Sequence, residues 1–574
     1  MILKALYDYY HRCGNLPQKG MELKEIGFLI VIDKDGRFLR FEDRRIDKKQ
    51  AQKFLVKKHI GRTSALAANY LYDNSGYVFG YSDKKDGLAQ YQTFKDKVKS
   101  IFEAHPNNPD ITAVYKFYQN EQCEVIKLMQ TDILWPEIVK NLNKKYSTFS
   151  FLIEGETKIV AEKSELLDGE NKKETEGQQI CIVSGEKCNA VETTTATMIS
   201  GSQATAKLVA FQVNSGYDSY GKAKGGNAPI GEEAEFAYTT ALNHLLEPNS
   251  LNKYVVGSRT FLFWASKQND FGRKIEESIF SLFGFKEQED DPNRNIEQVR
   301  KVFQSIYSSK LKTSSYDVFY ILGLAPNAAR IAVTYWAEIP IKQFAETICK
   351  HFDDMEIVDT RQIKKPYMSL RNILSEVTLG GKVSDVTPNL PESIVKSILQ
   401  GTSYPQTLFS SCIRRIRAES GDKDKNAVHI TRAAIIKAYL NRLTNTKEQK
   451  IRIMLDKENT NQGYLCGRLF AVLDKIQEEA NKQHSIRERY MNSASSTPAS
   501  VFSTILNLSN HHLEKLENEG RRIYFEKLKQ EIINKIDANG FHAQLDLQDQ
   551  GRFFIGFYHQ RQNFFTKSDE NNNE

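Results

Sequence analysis

The sequence predicts an α+β N-terminal body followed by an all-α C-terminal helical bundle, and three observations lead there. Up to about residue 340, short apolar runs bounded by Asp-Gly and Asn-Ser-Gly turns alternate with helical spacing. Beyond that point strand signals almost vanish, and helical periodicity persists to about residue 540. The 574 residues are 40% hydrophobic, 11% aromatic and 26% charged, which excludes a disordered or fibrous chain and supplies apolar surface for several domains.

The elements follow in chain order. Residues 27–33 are nearly all apolar and run into Asp33-Lys-Asp-Gly36, so with residues 37–41 they make a hairpin. Residues 77–81 read as a strand, 88–102 as a helix, and 147–160 return to strand character. The charged stretch 161–179 reads as a linker or a long surface loop. Residues 179–183 and 207–211 are strand candidates, and 232–247 form an amphipathic helix through Ala234, Phe236, Ala237, Ala241, Leu242 and Leu245. Residues 260–265 make a buried strand, and 319–324 and 332–336 are two more around residues 326–330. The later helices break at Gly380-Gly381, 401–405, 421–426 and 493–498. This divides the chain into 1–160, an α+β region with a basic segment; 161–340, an α+β body; 341–453, a helical region with a basic face; and 454–574, a helical bundle.

No run of about 18 uncharged apolar residues occurs, which speaks against a membrane span. The start, Met1-Ile-Leu-Lys-Ala-Leu-Tyr-Asp8, lacks the apolar region of a signal peptide, and seven cysteines form no secreted disulfide framework. The expected compartment is the cytoplasm, with no membrane partner.

Net charge is only +7, but its distribution is uneven. Residues 37–62 hold ten basic against three acidic residues, and 414–452 hold eleven against four, each a local +7. Residues 454–574 hold fifteen basic and seventeen acidic. Two phosphate-contacting patches or two solvated surfaces both fit such counts.

Catalytic motifs are missing. There is no Walker A loop, GxSxG, HExxH or HxExxC. Cys181 and Cys188 are too far apart for a zinc knuckle, and Asp290-Asp291 and Asp353-Asp354 lack the extra carboxylates a two-metal nuclease needs. The expectation is no catalytic residue, no metal and no cofactor.

Three constellations point to binding. Lys57, Lys58, Arg62, Thr63 and Ser64 around Gly61 suit a phosphate cradle. Asn69 and Asn74 offer amides to base edges, or else build a helix surface and a turn. Lys222 and Asn227, in a stretch with Gly225-Gly226, suit a backbone-binding loop or a plain turn. Arg414, Arg415, Arg417 and Arg432, with Lys437 and Arg442, make a basic helical face beside Ile413 and Ile416, or a solvated one.

The sequence resembles the large subunit of the type I-C CRISPR Cascade. The resemblance rests on Met1-Ile-Leu-Lys-Ala-Leu-Tyr-Asp-Tyr-Tyr10, Arg62-Thr-Ser64, Asn69, Asp73, Asn74, Cys181-Ile-Val-Ser-Gly-Glu186, Ser219-Tyr-Gly-Lys222 and Asn227-Ala-Pro229. It continues through residues 236–243, 322–330, 464–473 and QGRFFIGFYHQR at 550–561, so it spans essentially the full length. It implies a non-catalytic subunit of a crRNA-guided complex, in contact with backbone subunits and the crRNA 5′ end. Such a subunit reads the protospacer-adjacent motif in double-stranded DNA, helps open the duplex into an R-loop, and recruits a separate helicase–nuclease. It also implies a small subunit made from an internal start, for which Met454 stands at the matching place, whether or not it is also an ordinary buried helix residue. Residues 193–200 depart from the family pattern in lacking a histidine and basic residues, and Cys188 is not a family position. A metal-dependent nuclease with a dispersed carboxylate site, or a scaffold that never touches DNA, are the alternatives.

Overall fold

The computed structural model describes residues 1–48, 50–60, 66–81, 87–142, 144, 146–167, 179–211, 220–267, 270–283, 292–308, 317–361, 368–422, 425–444, 446, 450–481 and 486–566. The N-terminal part is mixed α/β with small sheets, and the C-terminal part is helical. The chain divides into two compact units: a smaller one of Cys13–Glu192 and Gly225–Thr240, and a larger one of Met1–Arg12, Thr193–Lys224 and Ala241–Glu574.

In the smaller unit the apolar run becomes the fully buried strand Phe28–Ile32. It pairs antiparallel with Phe38–Asp43 through the expected hairpin, where Gly36, at φ +77°, donates its N–H to the Asp33 carbonyl at 3.0 Å. A Cβ on Gly36 would stand 2.4 Å from the Phe117 nitrogen, so only glycine fits this turn. The strand's other neighbour, Phe149–Ile153, runs parallel to it and then pairs with Tyr72–Asp73. A parallel neighbour needs a crossover, which the helices Gly87–Ala104, Pro109–Phe117, Gln122–Gln130 and Trp135–Asn141 supply. Phe28, Phe41, Phe79, Trp135 and Phe149 interlock in the core with ring centroids 5.0–6.4 Å apart.

One strand expectation fails here. Residues 77–81 were expected as a strand, yet Ser75–Val78 is a helical turn, because the Asn74 side chain accepts from the N–H groups of Gly76 (3.0 Å) and Tyr77 (3.4 Å). The cap overrides the strand preference of Tyr-Val-Phe. A separate antiparallel ribbon, Met21–Glu25 with Lys53–Lys57, pairs Met21 with Lys57 and so places Lys57 at its end.

The larger unit is built on an antiparallel sheet in the order Arg330–Pro340, Val318–Asn327, Arg259–Ala265, Lys253–Val256. Trp264, Tyr320 and Trp336 stack across its three longer strands at 5.5–5.9 Å. The expected strand 207–211 is reduced to a single bridge, Lys207 with Arg330, and the strand expected at 179–183 to the pair Gln179–Ile180 with Lys187–Cys188 in the smaller unit.

A continuous apolar core runs from Tyr254 to Tyr558, so neither residue 340 nor residue 453 separates two cores. At its centre the helices Gln462–Ala480 and Leu547–Asn563 touch backbone to backbone. A Cβ on Gly467 would lie 1.9 Å from the Phe553 carbonyl oxygen, and one on Gly556 2.1 Å from that of Tyr464. That close approach explains the glycines in both sequence blocks. Met454 is not a buried helix residue: it is 54% exposed in the non-helical segment before Gln462.

Candidate nucleic-acid interface

The first basic segment ends on an aromatic surface. Lys57 closes its strand with Nζ 4.1 Å from the centroid of the Tyr70 ring, and Lys97, from the helix Gly87–Ala104, approaches the same ring at 5.7 Å. Tyr70 is fixed by its hydroxyl, which donates to the Leu166 carbonyl at 2.6 Å. Lys58 is exposed, with Nζ 6.0 Å from the Phe236 ring. The ring quadrupole steadies each ammonium without neutralising it. Lys97 escaped the sequence reading because it lies forty residues further on; the signal for it was the run Lys95, Lys97, Lys99 within one helix. The arginines nearer the hairpin are held by acids: Arg40 by Glu42 and Glu154, and Arg45 by Asp43 and Glu137, at 2.7–2.9 Å. Those bonds push both guanidinium pKa values up, through Glu154 first for Arg40 and Asp43 first for Arg45.

Arg62, Thr63 and Ser64 lie outside the described residues. The two asparagines beside them serve the backbone. Asn69 is buried; its Oδ1 accepts the Ile60 N–H at 2.9 Å, and its own N–H donates to Asp73 at 2.9 Å. Asn74 caps the Ser75–Val78 turn. An asparagine pairs adenine with both its amide oxygen and its amide nitrogen. Both oxygens are occupied, so in this conformation neither residue presents that edge; Asn74 builds a turn, whereas Asn69 is buried in a non-helical segment rather than lying on a helix surface. Lys222 and Asn227 are each exposed, Asn227 as the last residue of the 3₁₀ turn Lys224–Asn227.

The second basic segment folds differently from the expected solvent-facing stripe. Cys412, Ile413 and Ile416 anchor the helix Gln406–Glu419, leaving Arg414 exposed and Arg417 half-buried, its pKa lowered by burial. Arg415 pairs with Glu419. Arg432 is only 5% exposed and donates to Glu419 at 2.5 Å and to the Ala427 carbonyl at 3.0 Å, with Glu376 at 3.3 Å. Burial works against the Glu419 carboxylate, yet Arg432 and Arg415 together keep its pKa below the ordinary value. Lys437 donates to the carbonyls of Asp353 and Asp354 at 3.3 and 3.0 Å, and Arg442 to the Asp354 carboxylate at 2.6 Å. Arg415 and Arg432 are therefore internal ion-pair residues. For Arg432, Lys437 and Arg442 the cause is packing: the helix Ile430–Leu443 lies against four helices, Gln406–Glu419, Ile341–Met355, Leu370–Ser375 and Leu547–Asn563, which leaves its cations no route to solvent.

Cys181 Sγ accepts the N–H groups of Val183, Ser184 and Gly231 at 3.4–3.5 Å; burial opposes, but these bonds leave the thiol pKa lowered. Among the described residues no group of three or more His, Cys, Asp or Glu side chains is placed to hold a metal ion. No helix among them is long and apolar enough to cross a membrane.

No curated protein matches the chain. The family model described as CRISPR-associated protein (Cas_Csd1) matches residues 6–565, nearly the whole length. The chain belongs to the Csd1 family of CRISPR-associated proteins.

Proposed function

We propose that this chain is the non-catalytic large subunit of a type I-C interference complex, and that it recognises the protospacer-adjacent motif in double-stranded DNA. The observation that carries the reading is the family match across residues 6–565. The local support is the convergence of Lys57 and Lys97 on Tyr70, with Lys58, the next residue along the chain, against Phe236. Cations held over aromatic faces suit a phosphate backbone, and they fix the register in which a duplex lies. Duplex opening and R-loop formation then follow by pairing with the crRNA, whose 5′ end and backbone subunits the chain contacts in the complex. A helicase–nuclease is recruited to cut, and a small subunit comes from an internal start at Met454.

The test is affinity of the assembled complex for duplexes carrying every motif triplet, at two salt concentrations. A ranked preference among triplets with a steep salt slope is expected; equal affinity for all triplets contradicts motif reading. Incubating the chain alone with duplex DNA and Mg²⁺ tests the nuclease alternative, and metal-dependent cleavage there contradicts the non-catalytic role. For the helical region the inward pairing of Arg415, Arg432, Lys437 and Arg442 favours a second reading, in which that region serves as a scaffold.

A further inference from the structure

The larger unit contains a cavity of about 250 Å³ between the segment 193–211 and the tip of the hairpin formed by Val318–Asn327 and Arg330–Pro340. We propose that it is a binding site for a nucleoside phosphate, with Lys207 and Arg330 on the phosphate and Phe211 against the sugar and base.

Residues 193–200 carry no basic side chain, but the fold brings two cations to them from elsewhere. Lys207 and Arg330 are backbone partners, and the Ile331 N–H donates to the Lys207 carbonyl at 3.1 Å, so their side chains start from neighbouring points on one wall. Thr193 and Thr205 add hydroxyl donors, Phe211 supplies the apolar wall, and no acidic residue among the described residues lines the cavity. The walls are strapped together rather than loose. Thr194 donates its hydroxyl to the Val209 carbonyl at 2.5 Å, Thr197 N–H reaches the Ala206 carbonyl at 2.7 Å, and Gln203 N–H reaches the Ala328 carbonyl at 3.3 Å. Ala328 is held in the left-handed region at φ +51°, a strained backbone at the rim of the cavity.

The combination selects the ligand class. Two cations with hydroxyl donors match the oxygens of a phosphate, and a ring face beside them matches a sugar and base. A lone carboxylate or inorganic anion would leave Phe211 and most of the volume uncovered. The phosphate belongs either to a polynucleotide strand or to a free mononucleotide, and the experiment separates the two.

The site goes beyond the motif-reading proposal and is tested on the full chain with fluorescein-labelled decathymidylate, using thymidine monophosphate as competitor. The variant Lys207→Gln with Arg330→Gln should weaken decathymidylate binding roughly tenfold and flatten its salt slope by about 0.7 for each strand phosphate deprived of its cation. Lys207→Arg with Arg330→Lys, which keeps both charges, should bind within about threefold of the parent. Competition by the monophosphate assigns the cavity to a single nucleotide; its failure to compete assigns it to a strand. Unchanged affinity and slope in the glutamine variant, with an unchanged unfolding midpoint, overturns the proposal. A complex that ranks no motif triplets would refute motif reading while leaving this result standing.

Discussion

Two segments with the same count of charge, residues 37–62 and 414–452, end in opposite circumstances. The first sends Lys57 onto the Tyr70 ring, where Lys97 joins it, and Lys58 onto that of Phe236; the second turns Arg432, Lys437 and Arg442 into the packing between helices and pairs Arg415 with Glu419. The difference lies in the neighbours each element has. A ribbon end has few, so long side chains reach outward over ring faces, whereas a helix surrounded by four others must answer every cation internally. A local charge total therefore measures opportunity, and packing decides whether it faces a ligand.

The contrast can be broken most forcefully at Arg432. Arg432→Ala leaves Glu419 and Glu376 facing each other without their shared cation and should lower the unfolding free energy by about 3 kcal/mol or more, read by chemical denaturation. A drop below about 0.5 kcal/mol would mean that the inward pairing is incidental. Next comes Gly467→Ala, where a methyl group meets the Phe553 carbonyl rather than a movable side chain. Its cost should fall at about 1–3 kcal/mol.

Acid sharpens the comparison further. His351, bonded to the Tyr404 hydroxyl at 2.6 Å, and His559, bonded to that of Tyr464 at 3.0 Å, belong to the larger unit. Burial drives both pKa values down to about 3, helped by Arg442 for His351 and by Lys437 for His559. Above pH 6.5 both states are neutral and nothing is lost. Below it the unfolded chain takes up protons that the folded chain refuses, so stability falls steadily until about pH 3. From pH 7 to pH 5 each histidine should remove about 2 kcal/mol. His351→Gln should flatten that decline by one histidine's share, measured as unfolding free energy at the two pH values. The smallest effect is expected at Lys58→Ala, an exposed site, where stability should change by no more than about 0.5 kcal/mol while DNA affinity falls.

Much of the fold was legible because it is written locally. Asp33-Lys-Asp-Gly36 announces its hairpin, and the spacing of residues 88–102 announces the helix Gly87–Ala104. What escaped depends on distance along the chain. Glu376 lies 56 positions before Arg432, and Asp354 88 before Arg442, so no window of sequence shows that these cations are already paired. Lys97 escaped for the same reason. Asn74 shows a different ambiguity: followed by Ser-Gly it carries the signature of a cap as clearly as that of a base reader, and the hydrogen bonds to Gly76 and Tyr77 show the cap. The candidate interface was thus half legible, in Lys57 and Lys58 but not in their aromatic supports or their third cation.

The central claim is that DNA is held at the Lys57, Lys58 and Lys97 end of the smaller unit. The most direct measurement is the salt dependence of duplex binding by complexes assembled with Lys57→Gln, Lys58→Gln and Lys97→Gln together, across motif triplets. If each lysine meets one phosphate, the slope of log affinity against log salt should fall by about 2 to 3, with affinity reduced uniformly and the ranking of triplets preserved. An unchanged slope and affinity would contradict the account and place the DNA elsewhere on the chain.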